Sequence, residues 1–144
     1  MLIDSSPIGV GRDINKLIQV SQLSSVPIIV STGFHKLSYY QPNYWLYQST
    51  SGELAKIISD EILKDLMLDD PYPYNSKKTV IKAGMLKIGI DSSGITPTVD
   101  KLFTAIADII NRLGLVCMIH TEAGVPFNDV INWIEKHSVR PENS

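Results

Sequence analysis

Short runs of β-branched and aliphatic residues alternate with stretches of helical periodicity along most of this 144-residue chain, and no other feature restricts its fold as far. Strands separated by single helices pair in parallel through right-handed crossovers, and the resulting sheet is covered by helices. Four successive βα units can be placed. Leu2-Ile3-Asp4 is the first strand, and after the turn Pro7-Ile8-Gly9-Val10-Gly11 Asp13 caps a helix with Ile14, Leu17, Ile18 and Leu23 inward. Residues 27–32 are the second strand. A loop over residues 33–49, carrying Tyr39, Tyr40, Tyr44, Trp45 and Tyr47, leads to Thr50-Ser51-Gly52-Glu53, which has capping-box spacing.

The second helix presents Leu54, Ile57, Ile58, Ile62 and Leu66 on one face, and the prolines of residues 69–75 mark a loop. The third strand lies within residues 82–90. Thr96 and Pro97 then start a helix as N-cap and first helical residue. It ends at Gly114, with Leu102, Ile106, Ile109, Ile110 and Leu113 buried. Residues 115–119 are the fourth strand, closed by His120, and a last helix covers about residues 128–137 with Val130, Ile131 and Ile134 inward and Trp133 packing. The expected organisation is a single domain over 1–144 with a polar tail at 138–144. Periodicity leaves open whether the sheet is open or part of a closed barrel, but four units are half of a (β/α)8 barrel.

A formal net charge of -2 supplies no basic field for phosphate backbones or anionic lipid, so nucleic acid and membrane surfaces are excluded as expected partners. Small molecules or proteins remain. Cys117 is the single cysteine, which rules out an internal disulfide and fits a reducing compartment; with no signal peptide or membrane span to read, the expected location is cytoplasmic.

In parallel α/β folds the reactive groups gather at the C-terminal ends of the strands. Those ends carry Asp4, Thr32-Gly33 with His35 beyond, Lys87 and His120. Lysine is almost never fully buried unless paired. Lys87, set in the apolar run KAGMLKIGI, therefore has a partner, reaches solvent or does chemistry. A neutral lysine amine adds carbon dioxide to give a carbamate that can bridge two divalent cations, and partial burial favours the neutral amine. Spacing alone favours a snorkelling or ion-paired lysine and a hydrogen-bonded structural histidine over metal ligands.

Several runs together resemble the phosphotriesterase family of the amidohydrolase superfamily, which includes the phosphotriesterase-like lactonases. They are IGVGRD at 8–13, IIVSTGF at 28–34, SGELA at 51–55 with DEI at 60–62, IKAGMLK at 81–87, GIT at 94–96 with VDK at 99–101, and IHTEAG at 119–124. The resemblance implies a barrel with a binuclear divalent metal centre, usually zinc, at its C-terminal mouth. Lys87 falls on the position of the bridging lysine carbamylated by carbon dioxide, and His120 on the histidine that binds the second metal. His35 falls where the family usually places an aromatic pocket residue, and is assigned to the substrate pocket, with a solvent-facing loop histidine as the alternative. Hydrolysis of a lactone, carboxyl ester or phosphotriester by metal-bound hydroxide is the implied activity, the lactonase-like branch being favoured by the lysine and by GIT.

The family also needs a His-X-His pair on its first strand, a histidine on the sixth and an aspartate on the eighth, and none has a counterpart in this sequence. The resemblance covers strands two to five, so the expectation is a segment truncated at both ends and inactive alone, with no catalytic residue assigned. The alternative is a non-catalytic half-barrel that acts by forming a homodimer or by pairing with the missing barrel half. A third reading, an open flavodoxin-like nucleotide binder, would use the Gly9-Val10-Gly11 turn. Arg12 and Asp13 are explained by an ion pair and a helix cap. The loop aromatics either line a substrate mouth or pack the loop, Cys117 reads as a small core residue rather than a nucleophile, and His137 as a solvated helix-end residue.

Overall fold

The computed structural model describes residues 1–68, 77–125, 127–137 and 139. Its elements run β1 (Leu2–Asp4), α1 (Ile14–Ser24), β2 (Ile28–Phe34), α2 (Ser51–Leu63), β3 (Met85–Ile90), α3 (Pro97–Leu113), β4 (Cys117–Thr121) and α4 (Phe127–Lys136), with two short 3-10 turns between β2 and α2. The strands form one parallel sheet in the order β1-β2-β3-β4. Sequential order with a helix after every strand gives a curled half-barrel, as the alternation of βα units predicts. The expected loop at 69–75 lies outside the described residues.

Local chemistry sets the helix ends. Asp13 accepts the Lys16 N–H and starts α1. Thr50 and Glu53 form the reciprocal capping box of α2. Thr96 caps α3, Pro97 occupies its first turn, and Gly114 ends it at φ 67°, a left-handed conformation that glycine adopts without steric cost. The main core lies between the outer face of the sheet and the helices: Phe34, Leu86, Ile88 and Ile90 pack against Leu54, Ile58, Leu102, Ile106 and Ile109.

Several boundaries and facings differ from expectation. Leu23 is 89% exposed, whereas Ile14, Leu17 and Ile18 of α1 pack inward with Val30, Leu66 and Ala83. Ile131 is also exposed, and Trp133 takes the inward position, its ring edge-on to Phe103 and its Nε1–H donated to Asp100 Oδ1 at 2.6 Å. Leu66 is buried, but beyond the end of α2, where its N–H bonds the Ile81 carbonyl. β2 runs on through Gly33 and Phe34 because both stay in register with β3. Neither Lys87 nor His120 closes its strand: Lys87 is mid-strand, and β4 starts at Cys117 and continues to Thr121. Val139, expected in a polar tail, is buried in the main core, and the ring of His137 stacks on Trp133 at 3.7 Å.

One buried ion pair joins the elements from behind the sheet. Arg12 Nη1 donates to Glu61 Oε2 at 2.9 Å and to the Ser31 carbonyl at 3.0 Å, while Nη2 binds Glu61 Oε1. Thr32 Oγ1 donates to the same carboxylate at 2.6 Å, and the Met67 N–H at 2.9 Å. Glu61 is 1% exposed. A buried carboxylate with this many donors is fully satisfied, and removing its charge strands the guanidinium. Glu61→Gln should therefore lower stability by about 3–5 kcal/mol in urea unfolding, and the double variant Arg12→Met/Glu61→Met should recover most of that loss.

Candidate metal centre

Strand alternation and register decide which side chains share the concave face. Lys87 is level with Met118, and Gly89 with His120, so Lys87, Met118 and His120 project from the same side of β3 and β4, away from the helices. Lys87 is 3% exposed. Its Nζ lies 3.4 Å from Met118 Sδ, a weak acceptor, and among the described residues no carboxylate pairs with it. Burial lowers its pKa from the ordinary lysine value. Of the partner, the solvent path and the chemistry that the sequence leaves open, no ion-pair partner for Lys87 is found among the described residues, and its solvent path is nearly closed.

His35 reaches the same place by a different route. The chain leaving β2 crosses directly over Gly89, where a Cβ would come within 2.5 Å of Lys36 N and 2.9 Å of His35 C. Tyr40 fixes the crossing: its hydroxyl accepts the His35 N–H at 2.8 Å and donates to the Ile8 carbonyl at 2.7 Å. The His35 ring lies 5.3 Å from that of His120 and 4.4 Å from that of Tyr39. Burial, then the positive charges of Lys87, His120 and Lys36, lower the His35 pKa. Its Nδ1 is buried with no hydrogen-bond partner among the described residues. His35 thus stands half-buried beside Tyr39 and His120.

The rim is tied by residues that motif reading passed over. Lys36 Nζ binds Glu122 Oε1 at 2.7 Å, and Glu122 Oε2 accepts the Ser92 N–H at 3.0 Å, so one carboxylate joins the loops after β2, β3 and β4. Its hydrogen bonds hold the Glu122 pKa below the usual carboxylate range. Gly89 was the available sequence signal, since glycine inside a strand marks a close backbone approach.

Other candidates fall away from this cluster. Cys117 is on the helix side of β4, and burial pushes its thiol up to about 12, far from a nucleophile's range. The Gly9-Val10-Gly11 turn is packed by tyrosines: a Cβ on Gly9 would lie 2.6 Å from the Tyr40 ring and 2.7 Å from Tyr44 Oη, which leaves no cradle for a phosphate. Tyr40 and Trp45 are buried against Phe34 and pack the loop, whereas Tyr39 is exposed beside His35.

The family model that matches this sequence is that of the phosphotriesterases, over residues 1–139. The chain belongs to the phosphotriesterase family. A phosphotriesterase homology protein of Mycobacterium tuberculosis is 32% identical over 124 residues, 86% of this chain and 36% of the relative. A phospho-furanose lactonase of Mycoplasmopsis agalactiae is 26% identical over 129 residues, 85% of this chain and 36% of that protein. The fold matches the crystal structure of the Escherichia coli phosphotriesterase homology protein with a TM-score of 0.80 at 22% identity, covering 95% of this chain and 43% of the other. The chain thus spans well under half the length of these relatives, and its four strands correspond to part of their barrel. Phosphotriesterase-family proteins are generally metal-dependent.

A buried, unpaired ammonium is a cost to folding. Lys87→Met, which keeps an unbranched apolar stem one atom shorter and removes the charge, should raise stability by about 1–3 kcal/mol in urea unfolding.

Proposed function

We propose that this segment is part of a metal-dependent hydrolase of lactone, carboxyl-ester or phosphotriester bonds, in which Lys87 and His120 are metal-ligand positions and His35 lines the substrate pocket. The observation that carries the reading is the placement of Lys87, buried without a carboxylate partner among the described residues and on the same face as His120, in a chain of the phosphotriesterase family. These residues fit a cation centre. Burial favours the neutral Lys87 amine, and that amine adds to carbon dioxide with loss of one proton, giving a carbamate whose single negative charge is shared by two oxygens. His120 contributes an imidazole from the adjacent strand. Two divalent ions, zinc being the expected kind, would supply Lewis acidity toward the scissile carbonyl or phosphoryl group and toward water.

Within the pocket, His35 and Tyr39 form one wall and the Lys36–Glu122 pair holds the rim. The relatives named as lactonases support a lactone as the substrate class. Among the described residues no three of His, Cys, Asp and Glu gather, and catalytic zinc takes three protein ligands. The rest of the ligand set is therefore assigned to protein outside this segment.

A second reading, a non-catalytic half-barrel that pairs with another copy or another barrel half, is favoured by Ile3 and Met118, which alternation places on the concave face with 49% and 37% of their surface exposed. Among the described residues no helix is long and apolar enough to cross a membrane.

Zinc content and hydrolysis separate these readings. The 144-residue chain, loaded with zinc in bicarbonate buffer and desalted, should carry less than two zinc per chain by elemental analysis and should not hydrolyse γ-lactones or a phosphotriester above background. Two zinc per chain with turnover, both lost in Lys87→Ala, would contradict the assignment of the remaining ligands to protein outside the segment.

A further inference from the structure

We infer that a second copy of this chain is the partner of the two open sheet edges, β4 of each copy pairing in parallel with β1 of the other to close one eight-stranded barrel. The inference rests on the half-barrel reading above and names its partner and contact. β1 and β4 are the outer strands of the sheet among the described residues, and each leaves one row of backbone N–H and C=O groups free for pairing. Natural edge strands are commonly blunted by lysine or proline, and Leu2–Asp4 and Cys117–Thr121 contain neither. A twofold rotation about the axis of the curled sheet keeps all strands parallel and sets the last strand of each copy beside the first strand of the other. Two copies then supply the eight strands whose side chains fill a parallel barrel.

Exposed apolar surface is concentrated where this closure puts the contact. Of the twelve large apolar side chains exposed among the described residues, nine belong to the first and last βα units, and Tyr39, Leu63 and Val80 are the other three. On α4, Trp133 packs on Phe103 of α3, while Phe127 and Ile131, four residues apart, share the flank turned away from α3. On α1, Val20 lines a groove of about 170 Å³ with Leu17, Lys16 and, from the end of β1, Asp4 and Ser6. These two flanks become neighbours when β4 of one copy meets β1 of the other. Asp4 Oδ2, at the same edge, is buried without a hydrogen-bond partner among the described residues, and so offers an acceptor to a donor from across the joint. The nine side chains expose roughly 900 Å² per copy, and a standard-size interface buries about 800 Å² per partner. Because that surface is divided between both edges, it suits a twofold contact in which each edge of one copy meets the opposite edge of the other.

The test is sedimentation equilibrium of the 144-residue chain across a range of concentrations, with variants at each edge. The native chain should sediment at the mass of two chains. Phe127→Glu on α4 and Val20→Glu on α1 should each weaken the dimer about tenfold or more, and Val80→Glu, at an exposed position outside both terminal units, should leave it unchanged. Should Phe127→Glu fail to fold, Val20→Glu reads the same contact from the opposite edge. In a mixture of isotopically labelled and unlabelled chains, nuclear Overhauser effects should join the methyl groups of Val116 or Met118 in one copy to those of Leu2 or Ile3 in the other. A folded native chain that stays monomeric at every concentration would overturn the inference and leave the edges to another barrel half. A dimer unchanged in both folded edge variants would overturn it as well, as would oligomers that keep growing with concentration, since those join head to tail without closing. Zinc content and turnover, which test the hydrolase reading, are read separately, so the failure of one is distinct from the failure of the other.

Discussion

The Glu61 carboxylate, buried behind the sheet and held by Arg12, Thr32 and the Met67 N–H, fixes the first two βα units and the segment that follows α2 against one another. Arg12 belongs to the loop after β1, Thr32 to β2, Glu61 to α2 and Met67 to the segment after it. Because Arg12 also holds the Ser31 carbonyl, the pair anchors the stretch of β2 that lies beside Met85 and Leu86. That register sets Gly33 level with Lys87, and the chain then continues over Gly89 to deliver His35. A buried ion pair is often no more stabilising than apolar packing of the same volume. Its value here lies in direction, since a carboxylate with three separate donors accepts them in one arrangement.

The two faces of the sheet follow different physical rules. The outer face is ordinary core, aliphatic and aromatic side chains packed between strands and helices. The concave face places a nearly buried ammonium, an exposed imidazole and a thioether side by side, with a second imidazole brought in by a loop. Nothing in the stability of this chain asks for Lys87, because a methionine would fill the same space without desolvating a charge. A position maintained against stability is where a chain of this family would place chemistry.

Much of this was legible in the sequence where the determinant was local. The capping box at Thr50 and Glu53, the Thr96-Pro97 start and Gly114 end of α3, and the strand runs themselves depend on neighbours a few residues away, and the structure has each of them. The common facing of Lys87 and His120 follows from their positions on successive parallel strands. What could not be read was set by distant contact. The Arg12–Glu61 pair spans 49 residues. His35 meets His120 only because β2 overruns its expected end and the chain crosses Gly89, and Leu23 of α1 and Ile131 of α4 are exposed although helical periodicity turns them inward. The resemblance to the phosphotriesterases reached Lys87 and His120 through motif positions, but it had no position for a His35 that departs from the pattern.

The central claim is that Lys87 is held desolvated and unpaired on the concave face, ready to act as a neutral amine. Its pKa can be measured directly, by following the side-chain ε-carbon of Lys87 by NMR across alkaline pH in the 144-residue chain, with Lys87→Met assigning the resonance. A midpoint clearly below the ordinary lysine value of about 10.4 is the predicted result; a midpoint at or above that value would mean that Lys87 has found solvent or an anionic partner, and would contradict the account.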